Sequence, residues 1–431
     1  MKKIFALISF LIISSTANAE RLQIDITQGS FEPIPIAVHG FTAADGNGSR
    51  ADGLLKQVIS NDLGNTGMFN IINPAAFLEK LAPNQVRPTF ASWQQIGSQI
   101  LVTGAVRSSG AGYEIEFRLW DVLTGQQIEG MSYSTSEKGL RRVAHQIADK
   151  IYERMTGDKG YFDTRIVYVA ESGPKNRRVK QLAIMDQDGA NHQYLTGGKT
   201  LVLTPRFSTN DQKIAYMSYA LGAPRVKTFM VNTGAETTVG NFPGMTFGPR
   251  YSPDGTKLLL AYSRNGNTDL YEINLLNGSQ RQLTNDPAIE VSPCYSPDGS
   301  QIVYSSDRGG SRQLYIMSAG GGGGTRITFG RGNYDQPVWS PRGDFIAFTK
   351  QSGGFSIGVV RPDGSGERTI ASGGYIVESP TWSPNGRVIM FSRGGRGGDT
   401  RLWAIDLTGY NERMIPTPGD ASDPAWSPLL K

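Results

Sequence analysis

Short apolar runs recur along the last two-thirds of the chain at a near-constant interval. An aromatic residue ends one run at Phe207, Tyr251, Tyr295, Trp339, Trp382 and Trp426, 44 residues apart except for one step of 43. After it come Ser-Thr-Asn-Asp, then Ser-Pro-Asp-Gly twice, Ser-Pro-Arg-Gly, Ser-Pro-Asn-Gly and finally Ser-Pro. Pro presets φ at the second turn position and Gly accepts positive φ at the fourth, as a tight hairpin turn with a bulge requires. An alternating apolar stretch follows, as in Gln301-Ile-Val-Tyr304 and Phe345-Ile-Ala-Phe348. A third stretch reads Leu270-Tyr-Glu-Ile273 or Leu314-Tyr-Ile-Met317, and a fourth closes on Thr196, Thr284 or Thr328. Four short antiparallel strands per repeat make a propeller blade.

The last aromatic lies too near the end of the sequence for a full blade to follow it. The missing strands stand at the start of the repeat region. Arg165-Ile-Val-Tyr168, Gln181-Leu-Ala-Ile-Met185 and Gln193-Tyr-Leu-Thr196 match the second, third and fourth strands. With an inner strand from 421–428 and outer strands from 164–197, residues 164–431 close a six-bladed ring that leaves no open sheet edge.

Residues 20–158 carry a different pattern. Leu54, Leu55, Val58, Ile59 and Leu63 share a helical face over 53–63. So do Leu140, Val143, Ala144, Ile147, Ile151 and Met155, with Gly157 placed to cap that helix. Strands are predicted over 100–106, 113–119 and 127–133. The fold class is therefore an α/β N-terminal domain, joined through 157–163 to an all-β six-bladed propeller.

The first residues are of another kind again. Lys2 and Lys3 precede an apolar run over 4–13, and Ala17-Asn18-Ala19 supplies a small-x-small cleavage site. Residues 1–19 read as a secretory signal cut between Ala19 and Glu20. The apolar run is too short to span a bilayer, so no membrane segment is expected after cleavage. Losing the two lysines takes the net charge from +5 to +3, and no basic cluster stands out, so nucleic acid is not an expected partner. Cys294 is the single cysteine and is expected as a small buried hydrophobe.

The search for chemistry yields little. Gly354-Phe-Ser356-Ile-Gly358 has nucleophile-elbow spacing, but Ser356 falls where a blade strand should run, with no helix after it. Gly198-Lys199-Thr200 lacks the first glycine of a phosphate loop, where Gln193 stands. Asp186-Gln-Asp-Gly189 and Arg361-Pro-Asp-Gly364 lack a full calcium ligand series and read as hairpin turns. His39, His145 and His192 are split between the two regions, and His145 is expected half-exposed on its helix. No catalytic residue, metal site or cofactor is expected, and the protein is read as a binding protein. An exported propeller peptidase would need a hydrolase domain for which 20–158 leaves too little chain. A propeller scaffold with some other ligand is the alternative.

Partner binding is expected on one face. The Ser-Pro-Asp-Gly turns repeat faithfully on one side, whereas the segments entering the inner strands (244–247, 288–292, 333–336, 376–379 and 419–423) differ from blade to blade. Differences of that kind suit recognition of an asymmetric partner.

The secretory signal, the alternating Leu22, Ile24 and Ile26, the small α/β domain, the Ser-Pro-Asp-Gly propeller and the ending Asp423-Pro-Ala-Trp-Ser-Pro together resemble the TolB family over the whole mature chain. The resemblance implies a non-enzymatic periplasmic adaptor of the Tol-Pal system, supporting outer-membrane integrity and invagination during division. It implies binding of the lipoprotein Pal over the channel mouth, with Met245, Thr246, Glu290, Val291, Ser292, Asn333, Tyr334, Asp335, Gln336, Glu378, Ser379 and Asp423 as contacts. It also implies binding of TolA by the mature N-terminus, Glu20, Arg21, Leu22, Gln23, Ile24, Asp25, Ile26 and Thr27, through strand addition. Other outer-membrane proteins and colicins are further implied partners, and the chain is expected to act as a monomer.

Overall fold

The computed structural model describes residues 32–430 except 44, 45, 83, 84, 111 and 221, with the backbone alone at 46, 47 and 175. The segment read as a secretory signal, its expected cleavage site and residues 20–27 lie outside the described residues.

The N-terminal domain is a five-stranded sheet in the order β2-β1-β3-β4-β5, with β1 Ile34–Ala43, β2 Phe69–Ile71, β3 Ile100–Ser109, β4 Gly112–Asp121 and β5 Gln126–Ser136. β1 runs parallel to β2 and β3, and the rest is antiparallel. The three predicted strands are β3, β4 and β5; β1 and β2 were not predicted. Helix α1 spans Gly46–Gly64, α2 Phe90–Gln95 and α3 Leu140–Thr156. α1 begins seven residues earlier than its apolar face indicates, because its first two turns are polar and small. Leu55, Val58, Ile59 and Leu63 of α1 are buried together with the apolar stripe of α3. Trp93 of α2, Trp120 and Leu101 form a second cluster.

α3 is buried along two stripes. Besides the predicted one, His145, Ala148, Tyr152 and Thr156 are buried at spacings of three and four residues. The expectation of a half-exposed His145 is therefore corrected: it is 2% exposed, and its Nδ1 lies 2.6 Å from Asp62 Oδ2 of α1. The second stripe leads to the propeller. Tyr152 packs edge-to-face on Tyr161 and Phe162, and Tyr161 packs in turn on Trp426. α3 stops at Gly157, whose φ of 77° only glycine adopts at little cost. Asp149 then accepts hydrogen bonds from the backbone N–H of Phe162 and Asp163, at 2.7 and 3.0 Å, which fixes the connection to the propeller.

Six four-stranded sheets follow the predicted repeat. Their inner strands are Val202–Phe207 (blade 1), Met245–Tyr251 (blade 2), Glu290–Tyr295 (blade 3), Asn333–Trp339 (blade 4), Ile376–Trp382 (blade 5) and Asp420–Trp426 (blade 6). Blade 6 completes itself with Arg165–Ser172, Val179–Asp186 and Gln193–Tyr194, which joins the end of the repeat region to its beginning. The turn glycines Gly255, Gly299, Gly343 and Gly386 have φ of 68–80°, and each N–H donates to the carbonyl of the turn serine at 2.8–2.9 Å. Ser356 lies within the strand Phe355–Val360, third of its blade.

The turn side of the ring also carries the N-terminal domain. Asn385 of the Ser-Pro-Asn-Gly turn donates to the Lys159 carbonyl at 2.8 Å, and Arg342 of the Ser-Pro-Arg-Gly turn pairs with Asp158 at 2.6 Å. Gln187 and Asp188, in the turn read from sequence as a plain hairpin, reach Asp62 and Arg141 respectively. The repeating side is thus a docking platform within the chain, a role the repeat alone did not indicate.

Candidate partner-binding face

Each inner strand contains one residue with left-handed backbone followed by a proline. These are Thr204, Gly248, Ser292, Gln336, Ser379 and Asp423, with φ between 49° and 63°. The pairing of each inner strand with its neighbour shifts by one residue at this point. Proline has no N–H for the ladder, so two residues oppose one and the strand bulges. The segments predicted as entering loops prove to be the first halves of the inner strands. The dipeptides Thr-Pro, Gly-Pro, Ser-Pro, Gln-Pro, Ser-Pro and Asp-Pro, at the repeat interval, were the signal for this.

The inner strands carry a partial ring of hydrogen bonds around the channel at the bulges, open at blade 2. Ser292 Oγ donates to Asp335 at 3.0 Å, Gln336 Oε1 accepts from the Ser379 N–H at 2.8 Å, and Ser379 Oγ donates to Asp423 at 2.7 Å. Asp423 also accepts from the Thr204 N–H at 3.3 Å. Gly248 has no side chain to contribute.

Counting back from the bulge, burial repeats in all six blades. Two residues before it stand Val202, Thr246, Glu290, Tyr334, Val377 and Ala421, and every one is buried. Thr246, Glu290 and Tyr334 were named as contacts; the structure corrects this, since their side chains turn into the blades. Thr246 Oγ1 accepts from the Val226 N–H at 3.0 Å, Tyr334 OH donates to Glu367 at 2.7 Å, and Glu290 is ion-paired with Arg308. Ser379 is likewise buried, within the ring. The other named residues reach the surface at least in part: Met245 and Asn333 are exposed, and Val291, Ser292, Asp335, Gln336, Glu378 and Asp423 half-buried.

The face has two unlike halves. Three residues before the bulge, blades 1–3 place the exposed Leu201, Met245 and Ile289; one residue before it, they place Leu203, Phe247 and Val291. Blades 4–6 place Asn333 and Asp335, Ile376 and Glu378, and Asp420 and Ser422 at these positions, with Asp335 ion-paired to Arg312 and Asp420 to Arg178 and Arg401. Glu378 is half-buried beside Asp423, Asp335 and Glu171. Burial first, and then these charges, push its carboxyl up to about 7 against the opposing pull of Lys180. Among the described residues Asp62, His145 and Asp188 could converge on a metal ion, but Gln187 and Arg141 already occupy those carboxylates. Cys294 is half-buried, more open than expected.

Known proteins share this architecture. Residues 152–430 match the model of the TolB β-propeller domain, and residues 22–128 match that of the TolB amino-terminal domain. The chain belongs to the TolB family. A Tol-Pal system protein TolB from Rickettsia bellii is 53% identical over 426 residues, covering 94% of this chain and 95% of that protein. The crystal structure of TolB from Acinetobacter baumannii is 27% identical, with a TM-score of 0.81 over 94% of this chain and all of that one. Hydrazine synthase from Kuenenia stuttgartiensis shares the fold alone, at 13% identity and a TM-score of 0.51 over 61% of this chain and 46% of that one. As a TolB family member the chain is a non-enzymatic component of the Tol-Pal system. No described helix is long and apolar enough to cross a membrane.

Proposed function

We propose that the protein is a periplasmic adaptor which binds Pal on the inner-strand face of the propeller and TolA through residues 20–27, supporting outer-membrane integrity and invagination at division. The observation that carries the first part is the division of that face into an apolar arc (Leu201, Met245, Ile289) and a polar arc in which Glu378 stands between the ion pairs Asp335–Arg312 and Asp420–Arg401. A surface with a greasy half and a polar, ion-paired half around a central opening selects a partner that is apolar on one side and polar on the other. Among the described residues the N-terminal domain occupies the opposite side and leaves this face open.

The test is titration of the mature chain with Pal and with TolA. Met245→Glu and Glu378→Lys, one in each arc, are expected to weaken Pal by about tenfold or more, the scale of an interface anchor. Asp254→Ala, in a turn on the other side, leaves Pal affinity unchanged. Deleting 20–27 abolishes TolA binding and spares Pal. Wild-type Pal affinity in both arc variants removes the assignment of the face.

A further inference from the structure

An asparagine followed by glycine can react with its own backbone. The glycine nitrogen attacks the side-chain carbonyl, and the missing Cβ of glycine removes the obstacle to that approach. The sequence holds four such pairs, Asn47-Gly48, Asn265-Gly266, Asn277-Gly278 and Asn385-Gly386. Each needs a free side chain, a glycine N–H outside any hydrogen bond, and a backbone able to swing the two together. The fold withholds these conditions from three of them. Gly278 N–H donates to the Asn274 carbonyl and Ser279 N–H to Asn277 Oδ1, both at 2.9 Å. Gly386 N–H donates to the Ser383 carbonyl at 2.8 Å, and the buried Asn385 donates to the Lys159 carbonyl at 2.8 Å. Asn47 stands in the first turn of α1, where its backbone is fixed as helix.

Asn265-Gly266 is different. It is the tip of the hairpin between the second and third strands of blade 2, Lys257–Arg264 and Asn267–Asn274. Both residues have positive φ, 54° and 84°, as the tight turn of a two-residue loop requires. The ladder closes on the pair Arg264 and Asn267, and the tip lies outside it. Both tip residues are exposed, and a Cβ on Gly266 would meet nothing within 4 Å. Among the described residues no hydrogen bond engages the Asn265 side chain or the Gly266 N–H.

The tip also stands at a particular place on the face. Ser263 pairs with Met245 at the start of the blade 2 inner strand, and Thr268 bridges to Ile289 just ahead of the blade 3 inner strand. The hairpin is thus flanked by two exposed members of the apolar arc. We propose that Asn265 is a deamidation site of the folded chain, and that its conversion puts a carboxylate at the edge of that arc. The Gly266 nitrogen bonds to Asn265 Cγ and gives up its proton, and the side-chain nitrogen leaves as ammonia. Water then opens the cyclic imide at one carbonyl or the other, to aspartate or to isoaspartate. Aspartate fits the left-handed backbone that asparagine held. Isoaspartate adds one carbon to the main chain and disrupts the turn.

The test is incubation of the folded mature chain at mildly alkaline pH, followed by peptide mapping with mass spectrometry. Asn265 is expected to gain the mass of an amide-to-acid exchange ahead of Asn47, and about tenfold or more faster than Asn277 or Asn385. That factor is the scale of the hydrogen bonds that hold those two turns shut. In the urea-unfolded chain the four pairs should react at similar rates, which assigns the difference to the fold. Asn265→Gly keeps a residue that accepts positive φ, and should remove the fast reaction while the other three pairs stay slow. Equal rates at Asn265 and Asn277 in the folded chain overturn the site. The effect on docking rests on the partner proposed above: Asn265→Asp should weaken Pal by about two- to fivefold, the scale of a single exposed charge. Wild-type Pal affinity in Asn265→Asp, beside weak binding by Met245→Glu, overturns that effect. Wild-type affinity in both variants counts against the face and not against the modification.

Discussion

Glu378 stands one residue before the bulge of blade 5, where burial and the charges of Asp423, Asp335 and Glu171 outweigh Lys180 and raise its carboxyl from 4.5 to about 7. The sign of the consequence follows from linkage. Below the unfolded value both states hold the proton, and Glu378 costs nothing. Between 4.5 and 7 the unfolded chain releases a proton that the folded chain keeps, so stability falls as pH rises through that window. Above 7 the folded protein carries an ionised carboxylate in acidic surroundings. Glu378→Gln is therefore expected to raise the thermal midpoint at pH 8 by up to about 3 °C, at roughly 1 °C per kcal/mol for a cooperative unit of this size. At pH 4 it should change nothing, and an equal effect at both pH values would refute this account. The same neighbourhood shows why single contacts were hard to read from sequence. Glu290 and Glu378 are both acids near the start of an inner strand, yet one is two residues before its bulge and the other one residue before. Successive strand residues face opposite sides, so this difference of one sends Glu290 into the blade and Glu378 toward the mouth.

That parity is set by the bulge, and at the scale of the element the bulge is also what makes the six inner strands alike. The aromatic, the turn and the second strand were legible because each is a local preference repeated at a fixed interval. The bulge was written in the sequence too, as a residue-proline pair in every copy, but its reading requires knowing that the strand runs through the proline. Five of the six bulge residues carry side chains despite positive φ, and four of those are held in hydrogen bonds around the channel. Gly248 makes none. A Cβ there would lie 3.8 Å from Ser292, an ordinary contact, so only the backbone cost of φ 63° opposes substitution. Gly248→Ala is expected to destabilise by about 1 kcal/mol in denaturant titration, and Gly248→Asn by less, because asparagine tolerates the left-handed region better than alanine. An alanine variant as stable as the wild type would show that this bulge relaxes.

The association of the two domains was not legible in either of them. α3 shows an amphipathic face that any small domain would bury, and its second stripe contains a histidine and a threonine that read as surface residues. Only the propeller gives that stripe something to meet. One continuous apolar cluster includes Leu55 and Ile147 from the N-terminal domain, Tyr161 and Phe162 from the connection, and Tyr168, Met390 and Trp426 from the propeller. Interfaces between domains loosen when they are small and wet; an apolar core that crosses the boundary couples the two sides. At its edge lies the Asp62–His145 pair, with Gln187 donating to Asp62 at 2.9 Å. Burial alone would lower the histidine's pKa, but Asp62 and the charges of Asp188 and Asp186 outweigh it and raise the value to about 9. Its contribution is complete below 6.5 and is lost as pH rises through 9. Scanning calorimetry at pH 7 should therefore give one transition for the mature chain. His145→Ala leaves Asp62 buried without its partner, at a cost of about 3–5 kcal/mol. It should lower that transition by roughly 3–6 °C without splitting it, and the gap between variant and wild type should narrow toward pH 9.5. Two separate transitions in the wild type would mean that the cluster does not couple the domains. A gap that persists undiminished at pH 9.5 would mean that the histidine acts through packing and not through its charge.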